Sequence, residues 1–243
     1  MKKAIILTLG LILLVSNSIQ SQKKDRIEYL PNRDKKILQF GYYLGLNKKS
    51  FKIKYNDKEA LVNDLNSDFV TVEESIGFNI GLVIDYKLHD NINLRFEPGL
   101  SSNSKKITFD QSVISSSFTS GNERDVPGTY LRLPLLLKLS TNRLHNMRAF
   151  VIGGVSYDYN FSSNQNNVDD NLSGQFRMKT SNFMYEVGVG VDLYLFFFKF
   201  SPSIRGVFAI NNELVPDNIS SSPYTQSLDY LGTRGIFINF TFE

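Results

Sequence analysis

The chain has no cysteine, no tryptophan and only two histidines in 243 residues. Without a thiol there is no disulfide, no thiolate–metal site and no lipoprotein attachment point. His89 and His145 fall in predicted short turns, with no nucleophile fixed beside either, so they are poor general bases and are not spaced to share a metal. The acidic stretch Val168-Asp169-Asp170-Asn171 lacks the loop pattern of a dedicated calcium site. No catalytic residue, metal ligand or cofactor is therefore expected. No segment carries the ~20 consecutive apolar residues that a transmembrane helix requires. Charge of either sign is also not in excess: 27 basic against 24 acidic residues give +3, and nothing recommends nucleic acid as a partner.

What is present begins at the N-terminus. Lys2 and Lys3 form a basic start, Ala4 to Val15 an apolar run, and small polar residues follow at Ser16, Asn17, Ser18, Ser21 and Gln22. This is the layout of a secretory signal peptide, expected over 1–21 with cleavage after Ser18 or Ser21. Residues 22–37 are polar, basic and aperiodic, and are expected to be a periplasmic lead-in. The remainder, 38–243, is expected to be one barrel domain.

Residues 75–103 show the organising pattern of that domain. Ile76, Phe78, Ile80, Leu82, Ile84, Tyr86 and Leu88 alternate with Gly77, Asn79, Gly81, Val83, Asp85 and Lys87. After His89-Asp90-Asn91, Ile92, Leu94, Phe96, Pro98 and Leu100 alternate with Asn93, Arg95, Glu97, Gly99 and Ser101. Side chains alternate across a strand, so this is a hairpin with one hydrocarbon face and one polar, charged face. Similar runs near 38–46, 129–140, 148–161, 183–195, 198–210 and 232–242 bring the expected strands to about eight, an even number of about the length that crosses a membrane at a tilt. Connections alternate between roughly 3–8 residues and roughly 20–28 polar residues, the outer-membrane arrangement of short periplasmic turns and long extracellular loops. A soluble lipocalin-like barrel would bury its hydrophobic face and with it the charged one. The expected fold is therefore all-β, an eight-stranded antiparallel transmembrane outer-membrane β-barrel in contact with outer-membrane lipid. The spacing of Thr233, Gly235, Ile238 and Phe240 agrees with a last barrel strand.

Ten ionisable residues face the expected lumen: Asp85, Lys87, Arg95, Glu97, Arg132, Lys138, Glu186, Asp192, Lys199 and Arg205. Charge at membrane depth is a functional-site hypothesis by default. An eight-stranded barrel, however, is just wide enough for its own side chains to fill, so these residues are expected to form a structural polar network that closes the lumen. Tyr42, Tyr43, Tyr86, Tyr157, Tyr159, Phe198 and Phe200, near strand ends, are expected to form interfacial girdles.

The run Tyr130-Leu-Arg-Leu-Pro-Leu-Leu-Leu-Lys138 resembles a pattern of the PorT family of outer-membrane β-barrels. The resemblance extends to Phe40-Gly41-Tyr42-Tyr43-Leu44-Gly45-Leu46-Asn47 after a basic lead-in, and to Phe96-Glu97-Pro98-Gly99-Leu100. It covers most of the chain beyond the leader. It implies a non-enzymatic component of the type IX protein secretion system, with secretion components or cargo proteins as partners, and in some bacteria a part in gliding motility. It supplies no catalytic residues. The residues leave other functions open: a surface adhesion or membrane-protective barrel acting through its loops, a small-solute pore, or a rim-located hydrolase.

Overall fold

In a computed structural model of the protein, residues 27–55, 70–109, 123–126, 128–166, 177–216, 225 and 228–243 are described. The expected signal peptide and the acidic stretch 168–171 lie outside them. Twelve strands follow a short 3-10 turn at Arg33–Lys35: β1 Leu38–Tyr55, β2 Val70–Glu74, β3 Ile76–His89, β4 Ile92–Phe96, β5 Gly99–Ser102, β6 Lys105–Phe109, β7 Glu123–Val126, β8 Thr129–Ser140, β9 Met147–Asn160, β10 Ser181–Tyr194, β11 Lys199–Ala209 and β12 Leu228–Phe242.

β4 and β5 are two halves of one spanning strand, because both pair with β3 on one side and β8 on the other. Counted so, eight antiparallel strands form a ring among the described residues. β1 pairs with β12, from Tyr42↔Phe242 to Lys54↔Tyr230, and this seam leaves the sheet without a free edge. The alternation in the sequence becomes two faces. Leu82, Leu135, Val187, Ile204 and Ile238 point outward and are exposed, while Asp85, Arg95, Glu186, Asp192 and Arg205 are buried. That polarity is inside-out for a water-soluble protein and right for a barrel in hydrocarbon.

The interruption between β4 and β5 has an identifiable cause. Glu97 lies opposite Pro134, and Glu97 N–H donates to the Pro134 carbonyl at 3.2 Å. Proline has no N–H to return, which leaves the Glu97 carbonyl without its ladder donor. Pro98, opposite Leu82, cannot donate either; it only accepts from Leu82 N–H at 2.9 Å. Tyr43 of β1 fills the gap. Its hydroxyl reaches across β3 and donates to the Glu97 carbonyl at 3.5 Å. The ring lies over Gly81 and Gly99, where any Cβ would overlap it. Tyr43 is thus an inward, buried residue and does not join the expected girdle.

β1 is longer than the expected 38–46 strand, and β12 begins at Leu228, before the expected start at 232. The extra length was hidden because the polarity of β1 reverses above Leu46. Lys48, Lys52 and Lys54 point outward into water, and Phe51, Ile53 and Tyr55 point inward. The connections from β1 to β3 and from β5 to β8 also contain ordered structure. β2, β6 and β7 form a separate three-stranded sheet, paired Val72↔Ile107 and Ile107↔Arg124. Val70, Ile107, Phe109 and Val126 pack on Phe51, Met178, Leu214, Leu228 and Leu231. This apolar cluster covers the long-loop end of the barrel.

Tyr43→Phe removes the donor to the Glu97 carbonyl and is expected to lower stability by about 1–3 kcal/mol, as for an unsatisfied buried acceptor. Gly81→Val should cost as much or more through overlap with the ring, and Tyr43→Ala/Gly81→Val less than Tyr43→Ala and Gly81→Val added together. Urea unfolding in detergent micelles measures wild type and the four variants; additive losses in the Ala and Val changes would refute the contact.

Candidate functional site: a charged lumen between two lids

Strand pairing places the lumen residues before any side-chain interaction acts. Asp85↔Arg95 across β3 and β4 is a directly opposed pair, as is Arg132↔Asp158 across β8 and β9. From these pairs an ion network of alternating sign crosses the barrel. Arg95 donates to Asp85 at 2.7 Å, Glu97 at 3.4 Å and Glu243 at 3.0 Å. Glu97 accepts from Arg205 at 2.5 and 2.9 Å, a two-point fork. Glu186 lies 3.9 Å from Arg205 and accepts from Arg132, which also donates to Asp158 at 3.0 Å. Lys138 binds both oxygens of Asp192 at 2.7 Å, and Ser201 adds a hydroxyl at 2.6 Å. Lys199 meets Glu243 at 3.2 Å.

Nine of the ten charged positions read from the sequence come together in this way. Lys87 does not. It sits at the short-turn rim, paired with Asp90 at 2.9 Å and donating to the Asp34 carbonyl at 2.9 Å. Lys87 holds the Asp90 carboxyl below the usual range by hydrogen bond and charge. Two members were missed. Glu243 continues the inward series Phe237, Asn239 and Thr241, so the period-2 pattern of β12 carries it into the lumen. Asp158 alternates inward on β9 directly opposite Arg132. Neutral groups complete the filling: Asn47 donates to Asn79 at 3.3 Å and to Ser101 at 3.4 Å, and Asn79 in turn donates to Asn239.

Each end of the lumen is covered. At the short-turn end, residues 27–37 lie across the mouth. Tyr29 N–H donates to Asn146 Oδ1 at 2.9 Å, Asn146 Nδ2 donates to the Ile27 carbonyl at 3.0 Å, and Arg143 donates to the Tyr29 and Leu30 carbonyls. Asp34 accepts from the Tyr194 hydroxyl at 2.7 Å and lies 3.8 Å from Arg148. The cavity left beneath Asp34, between Lys138, Arg148 and Lys199, is only about 10 Å³, room for about one water.

At the long-loop end a second polar group sits under the apolar cluster. Lys105 Nζ lies 3.5 Å from the centre of the Phe51 ring and 3.4 Å from Thr233 Oγ1. The Thr233 hydroxyl donates to Glu213 at 2.8 Å. Burial pushes Lys105 down to about 8, against the charge of Glu213, and pushes the Glu213 carboxyl up. Tightly paired charges, a filled interior and a lid at each end can hold a shape. Among the described residues they surround a lumen cavity of only about 10 Å³.

A ring of antiparallel strands with hydrocarbon outside and ion pairs inside defines a transmembrane β-barrel of the outer-membrane type. Over residues 20–215 the chain matches the outer membrane protein beta-barrel domain, and it belongs to that family, a β-barrel of the Gram-negative outer membrane. No curated protein matches it. Solved structures similar to it include OprG from Pseudomonas aeruginosa, with 13% identity over 84% of this chain and 94% of that one at a TM-score of 0.44. Neisserial surface protein A is 7% identical over 84% and 97% of the two chains, with a TM-score of 0.40. Ail of Yersinia pestis, solved with the heparin analogue sucrose octasulfate, is 11% identical over 84% and 96%, with a TM-score of 0.37.

Arg95→Met would leave Asp85, Glu97 and Glu243 buried without their shared cation, and is expected to cost about 3–5 kcal/mol in urea unfolding. A loss below about 1 kcal/mol would mean the pairs contribute like surface bridges. Lys105 gives a pH test with a defined sign. Its folded pKa of about 8 lies below the ordinary 10.5, so folding releases a proton and stability rises with pH between those values, by about 3 kcal/mol in all. The urea midpoint should climb over that window, and Lys105→Met should flatten the climb.

Proposed function

We propose that the protein is a non-enzymatic outer-membrane component of the type IX secretion system, needed for export or maturation of secreted cargo and, where the cell glides, for motility. The observation that carries this reading is the PorT-like run Tyr130–Lys138, with Phe40–Asn47 and Phe96–Leu100. These segments resemble the family where the barrel is most constrained. Arg132 and Lys138 hold carboxylates, Pro134 faces the β4/β5 interruption, and Tyr43 bridges the two.

A mode of action by contact follows from the filled interior. The nine predicted charges that meet in the lumen act as structural filling, Lys87 stays at the rim, and the protein works through its ends. On this reading residues 1–21 are a cleaved signal peptide, the short-turn end with lead-in 22–37 faces the periplasm, and the long loops face outward. The lead-in and short turns would then meet secretion partners, and the loops would meet cargo or the cell surface.

Deleting the gene should leave cargo proteins unprocessed inside the cell and reduce their surface or medium levels by at least tenfold. Re-expression should restore them. Unchanged export in the deletion strain would overturn the secretion reading, and loss of surface binding in a strain with normal export would favour an adhesion barrel.

A further inference from the structure

The outer surface of the β1–β12 seam carries a groove of about 630 Å³, within the roughly 300–1,000 Å³ of small-molecule sites. Its lower part is hydrocarbon: Leu46, Ile76, Phe208, Ile236 and Ile238. Its upper rim is charged. Lys48 lies opposite Ile236 and Ser50 opposite Arg234, so Lys48 and Arg234 are diagonal neighbours on one outward face. Lys48 pairs with Glu74 at 2.8 Å. Arg234 has no ion pair among the described residues and lies close enough to Glu74 to help lower its carboxyl, after the hydrogen bonds from Lys48 and Ser50. Above the rim, Lys52 and Lys54 continue outward on β1.

The groove sits where the outward face of β1 changes from Leu44 and Leu46 to Lys48 and Ser50, which marks the edge of the hydrocarbon layer. The stacked pair Tyr185–Phe208, ring centres 5.0 Å apart, flanks it as interfacial aromatics do. An occupant must therefore be apolar below and anionic above. A lipid of no net charge would leave two cations, Lys48 and Arg234, facing one carboxylate, Glu74, at a low-dielectric boundary, and a soluble anion would leave the apolar floor unused. A phosphate suits the planar fork of Arg234 beside the point charge of Lys48.

We propose that this groove binds one anionic, phosphate-bearing lipid of the outer leaflet, with an acyl chain along Leu46, Ile236 and Ile238 and the phosphate on Arg234 and Lys48. The assignment uses the orientation given above, with long loops outward, and does not depend on a role in secretion.

The test uses the full barrel purified in detergent and stripped of lipid, its fold checked by heat-modifiable gel mobility. Native mass spectrometry then follows titration with lipid A, with phosphatidylcholine and with inorganic phosphate. Wild type should take up one lipid A at least tenfold more tightly than phosphatidylcholine. Arg234→Gln/Lys48→Gln should erase that preference, and Ile236→Trp, which fills the groove and keeps both cations, should lose lipid A as well. Equal uptake of both lipids by wild type, or unchanged uptake by the double variant, would overturn the site. So would phosphate competing as well as lipid A, which would make it a bare anion patch. Cargo export by the Arg234→Gln/Lys48→Gln strain separates the ideas: normal export alongside lost lipid leaves the secretion reading standing.

Discussion

An eight-stranded barrel has almost no interior to spare, and the rest of this structure depends on that constraint. Side chains pointing inward cannot be solvated by a water column, so their charges are satisfied by other side chains nearby. The solution is a lattice of alternating charge built on strand register. Arg95 stands among three carboxylates, and Arg205 and Arg132 pass the alternation to the opposite wall. Arginine suits the task because its planar fork meets two partners at once and stays charged. The outer surface is correspondingly simple, since lipid asks only for hydrocarbon.

Closure of the ends follows from the same shortage of space, solved differently on each side. The long-loop end uses hydrophobic burial: β2, β6 and β7 bring Ile107, Phe109 and Val126 onto Phe51 and Leu231. The short-turn end uses hydrogen bonds. Asn146 and Arg143 grip the backbone at Ile27, Tyr29 and Leu30, and Asp34 engages Tyr194. Among the described residues the barrel is thus filled by its own side chains and covered differently at its two ends.

Much of this was legible in the sequence, and the limits were physical. Period-2 alternation announced the spanning strands because lipid and lumen impose opposite demands on neighbouring residues. Where β1 and β12 leave the membrane those demands reverse, so Phe51 and Lys52 no longer read as part of a lipid-facing strand. The short strands β2, β6 and β7 give too few residues for a period to stand out. The lead-in looked aperiodic because its contacts are mostly backbone groups, with one carboxylate and the Tyr29 ring on Phe196, which leave no pattern. Nine of the ten charged positions meet in the lumen, yet partners such as Glu97 for Arg205 and Glu243 for Arg95 were unreadable, because those pairings join strands far apart in the chain. Glu243 was readable in principle, two residues beyond the inward Thr241.

Tyr43 ties three strands together with one side chain. Its ring needs the glycines at 81 and 99 beneath it and the proline-orphaned carbonyl of Glu97 at its tip. Sliding β1 by one residue would put Tyr42 in the lumen and Tyr43 in lipid, and the opposite faces would exchange along the whole strand. Neither glycine would then have a ring above it, and the carbonyl would go unanswered. The tyrosine therefore acts as a registration pin. It fixes the alignment of the wall between β1 and β8 from inside the barrel, and so spares the connections that task.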